Sequence, residues 1–361
     1  MRILMFGMSS FPGGIENYIA NYFLCADFSE DTTIDFVSYD GKLAFEDRIV
    51  GLGHRVIQVP HLRKNPIGYA RTVKKLLKEE QYDCVYVNML SAANVIPIRY
   101  AVKAGVKKIA VHAHANSTVK GALRRILHSV NKKFCKNKAV VKLACSDAAG
   151  NWLFDDGEFT VVPNSIDVDR FSFSAENRNE IRESLGIENS TFVVGHVGRF
   201  AEEKNHLFLL DIFNELLKRR ENSRLLLVGG GPYETLIREK AAALGISEKI
   251  IFAGITDSSH RYYSAFDAFV FPSVFEGFGM SALEAQACGL PCFCSDSLSK
   301  SLDVTKTVEF IALDKSAESW AEIVLGKEIR IGRSDMNRVV GESEYNIRTQ
   351  IASLKAILKE G

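Results

Sequence analysis

Phe271-Pro272-Ser273-Val274-Phe275-Glu276-Gly277-Phe278-Gly279-Met280-Ser281-Ala282-Leu283-Glu284-Ala285-Gln286-Ala287-Cys288-Gly289-Leu290-Pro291 is the most informative run of this chain. The apolar residues 268–271 read as a buried strand, and 280–288 as a helix. Glu276 therefore falls on the loop at the strand's carboxyl end, and Glu284, eight positions on, falls inside the helix. In an open parallel sheet, ligands bind at that end. Gly277 and Gly279 let the backbone approach a ligand, and the helix start behind them offers unpaired N–H groups to hydroxyls or anions. Either glutamate alone reads as a solvated carboxylate on an ordinary turn. The whole string, Glu-Gly-Phe-Gly and then Glu-Ala-x-Ala-x-Gly-x-Pro, points to a ligand.

Working outward, strand-like and helical patterns alternate along the whole chain. Strands are expected at 2–7, 34–39, 55–59, 83–87, 108–112, 140–144 and 159–162, with helices at 15–26, 67–80, 91–104 and 118–136. After the linker-like Pro163-Asn164-Ser165-Ile166-Asp167 the rhythm restarts, with strands at 192–197, 224–229, 249–252 and 268–271. This alternation predicts a parallel α/β architecture. A length of 361 residues suits two domains of roughly 150–180 residues each. We expect two Rossmann-like domains, 1–165 and 166–343, facing a cleft, and a terminal helix over 344–361.

Composition narrows the class. With 47% hydrophobic and 25% charged residues the chain reads as an ordinary globular protein. No apolar run approaches the ~20 residues of a membrane span. Met1 to Gly7 reads as a first strand, too short for a signal peptide, so a cytoplasmic location is expected. The seven cysteines form no Cys-x-x-Cys pair and have no histidine at zinc spacing, and they read as small buried hydrophobes in a reducing compartment.

Several other strings place chemistry at strand ends. In Gly195-His196-Val197-Gly198-Arg199-Phe200-Ala201-Glu202-Glu203-Lys204-Asn205 a strand ends near Gly198, and two cations, Arg199 and Lys204, follow on the loop. A guanidinium fork and an ammonium point charge suit a leaving diphosphate. Gly7-Met8-Ser9-Ser10-Phe11-Pro12-Gly13-Gly14-Ile15-Glu16 follows the first strand and opens a helix. It lacks the dinucleotide and P-loop patterns, and reads either as a tight turn or as a loop bringing amides to a diphosphate. Leu225-Leu226-Leu227-Val228-Gly229-Gly230-Gly231-Pro232 ends a buried strand in three glycines, a plain turn or a surface for a nucleotide. His112 and His114 close another strand on one face; the position nearer the loop favours His114, and a purely structural histidine is the alternative for either. No Asp-x-Asp pair stands at a strand end, so neither a metal nor another cofactor is expected.

Together these strings resemble the retaining glycosyltransferases of family 4, the group 1 nucleotide-sugar transferases. The Glu276/Glu284 spacing resembles the family's E-x7-E signature. The Arg199–Lys204 string is similar to its GRLxxxKG motif, with Phe200 for Leu and Asn205 for Gly. Residues 162–171 resemble its PNGVDxxxF linker, with Ser165 for Gly, and Gly13, Gly14 and Glu16 its GGxE loop. Ala144-Cys145-Ser146, Glu284-Ala285-Gln286-Ala287 and Ser295-Asp296-Ser297 look most like exopolysaccharide and capsule enzymes of bacteria. The resemblance implies the glycosyltransferase B fold, with the terminal helix crossing back to the first domain. It implies transfer of a hexose from a nucleotide diphosphate sugar, UDP-linked, to a hydroxyl of a lipid-linked glycan with anomeric retention. It also implies that Arg199 and Lys204 stabilise the departing diphosphate and that Glu284 holds the ribose hydroxyls. Glu276 would position the sugar with the amides of Phe278 and Gly279. Gly13, Gly14, Gly198, Gly230, Gly277 and Met280 would line the donor, and His114 would stand near sugar and acceptor. The rivals are a nucleotide-sugar 2-epimerase or hydrolase of the same fold, and a non-catalytic nucleotide-sugar-binding scaffold.

Charge adds a surface. Up to Ser165 there are 22 Lys/Arg against 15 Asp/Glu, and beyond it 23 against 29; no acidic residue occurs between Cys84 and Ser146. In the expected 118–136 helix, Lys120, Arg124, His128, Lys132 and Lys136 recur every four residues, widened by Arg125 and Lys133. Val119, Leu123, Ile126, Leu127, Val130 and Phe134 form its apolar face. Such a basic stripe invites an anionic partner: a membrane surface at the inner face of the plasma membrane, or a polyprenyl-diphosphate acceptor. The alternative is a solvated face with the apolar side turned into the core. Nucleic acid is not expected, because aromatics are not interleaved with the cations.

Overall fold

The computed structural model describes residues 1–11, 13–25, 28, 31–39, 41–115, 121–155, 157–327 and 332–359. The chain forms two compact units: Met1–Ile166 with Ile347–Gly361, and Asp167–Asn346. In the first, β1 (Arg2–Phe6), β2 (Thr33–Ser38), β3 (Arg55–Gln58), β4 (Cys84–Met89), β5 (Lys108–Ala113), β6 (Val140–Ala144) and β7 (Thr160–Val161) form one sheet in the order β3-β2-β1-β4-β5-β6-β7. In the second, β8 (Phe192–Val197), β9 (Ser223–Val228), β10 (Ile250–Gly254), β11 (Ala268–Phe271), β12 (Cys292–Ser295) and β13 (Val308–Ile311) follow the order β10-β9-β8-β11-β12-β13. Every pairing is parallel. Both orders are doubly wound, so each sheet has a switch point where loops diverge to opposite faces: between β1 and β4, and between β8 and β11.

Each sheet's central strands are buried on both faces, which is why they read as mostly apolar runs. Apolar clusters cover the two faces of the first sheet, and another lies under the helices of the second. At the amino-terminal edge of each sheet a carboxylate locks the strands that matter. Asp35 accepts from Arg55 (2.7 and 2.6 Å), Arg2 (3.0 Å) and the Tyr82 hydroxyl (2.7 Å). Asp267 binds Arg178 and Arg182 (both 2.7 Å) and the amide of Val193 (2.8 Å), pinning β11 to β8. A fixed foot for β8 and β11 leaves their carboxyl ends free to carry a site.

Helix limits follow local chemistry. The Pro66–Glu79 helix starts at a proline, with Asn65 capping the Gly68 amide at 2.8 Å. The helix expected from 91 begins at Ile96, where Pro97 supplies a preset φ at the first turn. The terminal helix, Ile347–Lys359, buries Ile347, Ile351, Leu354 and Leu358 in the first unit's core beside Tyr18, Tyr22 and Phe28. Its start is tied by the Ile347 amide to Ile166 O (3.0 Å), and Lys359 reaches Asp31 (2.5 Å). None of the seven cysteines is in a disulfide, and five of them are buried.

Candidate active site

Residues predicted from two separate strings meet at the switch point of the second sheet. β8 ends before Gly198, and the loop behind it carries Arg199, Lys204 and Asn205; β11 ends at Phe271 and leads to Glu276. The Val274 amide donates to Glu203 O (2.8 Å) and the Asn205 side chain to Pro272 O (3.1 Å), so the two loops are bound side by side. Across them Lys204 Nζ donates to Glu276 Oε1 at 2.6 Å, with both side chains mostly buried, at 15% and 13% exposure. The ammonium also lies 4.9 Å from the centre of the Phe271 ring. Arg199 is exposed, and no carboxylate among the described residues pairs with it. Asn205, which replaces the family glycine, sits at φ 55° and ψ 41°. Asn tolerates this left-handed conformation better than most residues, so the loop keeps its shape.

Behind the loop, Gly279 (φ +100°) starts the Met280–Ala287 helix. Phe278 is held against Tyr345, ring centres 4.8 Å apart. Fully buried Gln286 anchors the helix: its amide donates to Leu302 O (2.8 Å) and its oxygen accepts from the Val304 and Thr305 amides (3.1 Å each). Glu284 accepts a hydrogen bond from the Tyr263 hydroxyl (2.6 Å). Burial pushes its carboxyl up to about 7, against the opposing pull of Tyr263, Arg170 and Lys204. A carboxylate with one neutral donor has acceptor capacity to spare for hydroxyls. Tyr263 and Arg170 were missed in the sequence because neither stands in a glycine-marked string.

Of the three glycines after β9, two serve the fold. A Cβ on Gly229 (φ +138°) would lie 2.0 Å from Gly198 O, and one on Gly231 (φ +158°) 2.5 Å from Phe200 O. Both let the β9 loop press onto the Arg199 loop, reinforced by the Phe200 amide donating to Gly230 O (3.0 Å). Gly230 faces the side chain of Ile255, an aliphatic group that is 85% exposed. Ile255 follows a register shift in β10, a signal that no sequence string announces.

The first unit has its own site at the β1/β4 switch point. Gly7 (φ +102°) brings the end of β1 onto Asn88, where any Cβ would lie 2.4 Å from the Asn88 carbonyl oxygen. Glu16, buried in the first turn of the Gly14–Tyr22 helix, accepts from the Ser9 amide (2.9 Å) and folds the glycine loop back on itself. Gly13 caps that helix, and a Cβ on Gly14 would meet nothing. A cavity of about 200 Å³ opens here, its walls including Gly7, Asn88, Leu90 and Arg124.

The two histidines separate by environment. His112 is buried, with Nδ1 bonded to the Tyr86 hydroxyl (2.7 Å). His114 is half-buried, stacked on His112 with ring centres 4.2 Å apart, its Nε2 at 2.8 Å from Asn88 Oδ1. The Asn88 amide nitrogen donates to Phe6 O (3.0 Å), so its oxygen must be the acceptor and His114 Nε2 the donor. That leaves Nδ1 of His114 as an acceptor. Burial pulls the imidazole down to about 3, so it is neutral at physiological pH.

The basic helix departs from expectation. It runs Ala122–Cys135; Thr118, Val119 and Lys120 lie outside the described residues. His128 is no surface cation: it is buried, stacked on Trp152 at 4.6 Å, and accepts the Ala92 amide at Nδ1 (3.0 Å). Lys132 and Lys136 (3.0 Å) both pair with Asp155, so part of the stripe is neutralised from within the chain. Arg125 and Lys133 are exposed, and Arg124 is exposed at the cavity wall. Of the apolar face Phe134 packs against the core, while its other described residues are exposed. Leu123, Ile126 and Val130 are 70%, 60% and 55% exposed.

Comparisons with known proteins agree with this architecture. Residues 12–170 match the model described as Glycosyltransferase Family 4, and residues 177–325 the one described as Glycosyl transferases group 1. EpsF of Bacillus subtilis (strain 168), which bears the name of a glycosyltransferase, is 31% identical over 323 residues, covering 86% of this chain and 84% of its own. A GDP-mannose-dependent alpha-(1-6)-phosphatidylinositol monomannoside mannosyltransferase of Mycobacterium tuberculosis is 23% identical over 96% of this chain and 94% of its own. The structure of Anabaena HepE in complex with UDP superposes with a TM-score of 0.83 at 19% identity, covering all of both chains, which establishes the glycosyltransferase B fold. On the strength of the EpsF match, and of the two models that divide the chain between them, the protein belongs to the group 1 glycosyltransferases.

Proposed function

We propose that this glycosyltransferase moves a hexose from a UDP-linked donor to a hydroxyl of a lipid-linked glycan, with retention and without a divalent metal, in the making of a bacterial surface polysaccharide. The observation that carries the reading is the convergence of Arg199, Lys204 and Glu276 at the β8/β11 switch point, with Glu284 on the helix behind them. In this reading Arg199 and Lys204 take the charge that grows on the departing diphosphate, the largest to appear in the transition state. Glu284 accepts from the ribose hydroxyls, beside Tyr263. Glu276 and the amides of Gly277, Phe278 and Gly279 position the sugar, with Gly198, Gly230 and Met280 lining the donor. The leaving phosphate oxygen takes the acceptor's proton on the same face, so no enzymatic nucleophile is invoked.

The first unit would receive the acceptor. The loop of Gly13 and Gly14 lends amides to the diphosphate, and neutral His114 accepts from a sugar or acceptor hydroxyl at Nδ1. A lipid-linked acceptor places the work at the inner face of the plasma membrane. Support for a UDP donor comes from the HepE complex, while the mannosyltransferase named above uses GDP-mannose, so the base is a point for experiment.

Calorimetry with UDP and GDP, on the parent protein and on Lys204→Ala, tests the donor site. UDP should bind the parent more tightly than GDP, and losing a charge-assisted contact should weaken it by roughly 1.5–3 kcal/mol. Equal UDP affinity in Lys204→Ala would refute the assignment. Donor turnover that needs no acceptor would favour a hydrolase, and tight UDP binding without any turnover a scaffold.

A further inference from the structure

We propose that Tyr345 is a positioning residue for the donor's sugar: through Phe278 it fixes the direction of the Phe278 and Gly279 amides. The loop between β11 and the Met280–Ala287 helix is held unevenly. Its first half is tied at four points. Pro272 O accepts from the Asn205 side chain (3.1 Å) and Ser273 O from the Ser297 hydroxyl (3.1 Å). The Val274 amide donates to Glu203 O (2.8 Å), and Glu276 pairs with Lys204 (2.6 Å). Beyond Glu276 such ties stop. Among the described residues nothing accepts from the amides of Gly277, Phe278 and Gly279, and a Cβ on Gly277 would meet nothing within 4 Å. Two glycines leave this stretch conformationally free, and free amides serve a ligand well only when something else sets their direction.

The one side chain of that stretch is the one that is held. The Phe278 ring lies 4.8 Å from the Tyr345 ring, centre to centre, with the planes tilted by 30°, an attractive arrangement for two aromatics. The Phe278 Cα joins the two planar peptide groups that carry the Phe278 and Gly279 amides, so holding its side chain restrains both. Tyr345 is a fixed support. It is 7% exposed, and its amide donates to Ser343 Oγ (3.2 Å), which in turn donates to Val340 O (2.6 Å) in the Arg333–Gly341 helix. The Asn346 side chain returns to Gly341 O (2.7 Å). From the same helix Asn337 donates to Ala287 O (2.8 Å), the last residue of the Met280–Ala287 helix. The turn that carries Tyr345 is thereby moored to the far end of the helix that the sugar loop opens. Donors set in place before substrate arrives need no rearrangement as the reaction proceeds. Tyr345's role rests on the donor-site reading above.

The test is calorimetry on the full chain with UDP, GDP, UDP-glucose, UDP-galactose, UDP-N-acetylglucosamine and GDP-mannose. The sugar nucleotide that the parent binds most tightly is carried through the variants, together with its bare nucleotide. Tyr345→Leu and Phe278→Leu should each weaken the sugar nucleotide about 10-fold, the equivalent of one aligned hydrogen bond, and leave the bare nucleotide within about 2-fold. Tyr345→Phe, which keeps the ring, should bind both like the parent. Tyr345→Leu/Phe278→Leu should lose no more than either single variant, because both substitutions cut the same contact. Urea unfolding confirms that each variant is folded; if Tyr345→Leu is not, Phe278→Leu, at a half-buried loop position, decides alone. The proposal is overturned if the folded leucine variants bind the sugar nucleotide like the parent, if they lose the bare nucleotide to the same extent, or if the two losses add. A parent that binds no nucleotide at all refutes the donor site, and Tyr345's role with it. A parent that binds nucleotide, with variants that keep its sugar affinity, refutes the role of Tyr345 alone.

Discussion

Lys204 has two duties in this reading, and they can be separated. It holds the mostly buried Glu276 at 2.6 Å, and it is proposed to hold the donor's diphosphate. Replacing it by methionine fills similar space but leaves the Glu276 carboxylate, 13% exposed, without its cation. Breaking a fully buried pair costs about 3–5 kcal/mol. Residual access to water discounts that here, and we expect roughly 2 kcal/mol in urea unfolding. Adding Glu276→Gln removes the orphaned charge, so Lys204→Met/Glu276→Gln should regain most of that stability. Nucleotide binding should behave differently. Both variants should lose about 1.5–3 kcal/mol of UDP affinity, since the second change restores the fold but not the cation. Glu276→Gln alone should bind UDP at least as tightly as the parent, because Lys204 no longer shares its charge, and yet transfer sugar far more slowly. Urea titration and calorimetry on the four proteins complete the cycle. The reasoning fails if Lys204→Met/Glu276→Gln binds UDP like the parent, or if the two substitutions destabilise additively.

Four further outcomes are expected. Burial raises the Glu284 carboxyl from 4.5 to about 7, so the fold favours its protonated form; relative to an ordinary carboxyl that advantage is full below pH 4.5 and is lost as pH rises through 7. Glu284→Gln should therefore melt like the parent near pH 4.5 and progressively higher above it, by up to about 3 kcal/mol at pH 8; parallel melting profiles would refute the buried charge. Transfer activity should survive exhaustive chelation, because Arg199 and Lys204 supply the positive charge, and a loss restored by magnesium or manganese would mean that they are misassigned. Gly231→Ala puts a Cβ 2.5 Å from a backbone oxygen at φ +158° and should cost more than about 3 kcal/mol in urea unfolding. Gly14→Ala, with open space, should keep or raise stability by about 1 kcal/mol.

Much of the protein was legible in its sequence, and the reasons are local. Strands buried on both faces are mostly apolar, so 83–87, 108–112 and 224–229 announced a parallel sheet. Glycines that must take positive φ at strand ends marked the turns after β1, β9 and β11, and with the last of these Glu276 and Glu284. What the sequence by itself could not decide is whatever depends on direction. Periodicity shows that the 122–135 helix has an apolar side, but which side meets the domain depends on the neighbours. Here stacking with Trp152 claimed His128 for the inside and left the leucine and isoleucine side out. Long-range partners were equally hidden: Asp155 on Lys132 and Lys136, Tyr263 on Glu284, Asn88 fixing the tautomer of His114. Local sequence sets backbone geometry within a few residues; the partner of a charge, and the face that water sees, are set only when distant segments pack.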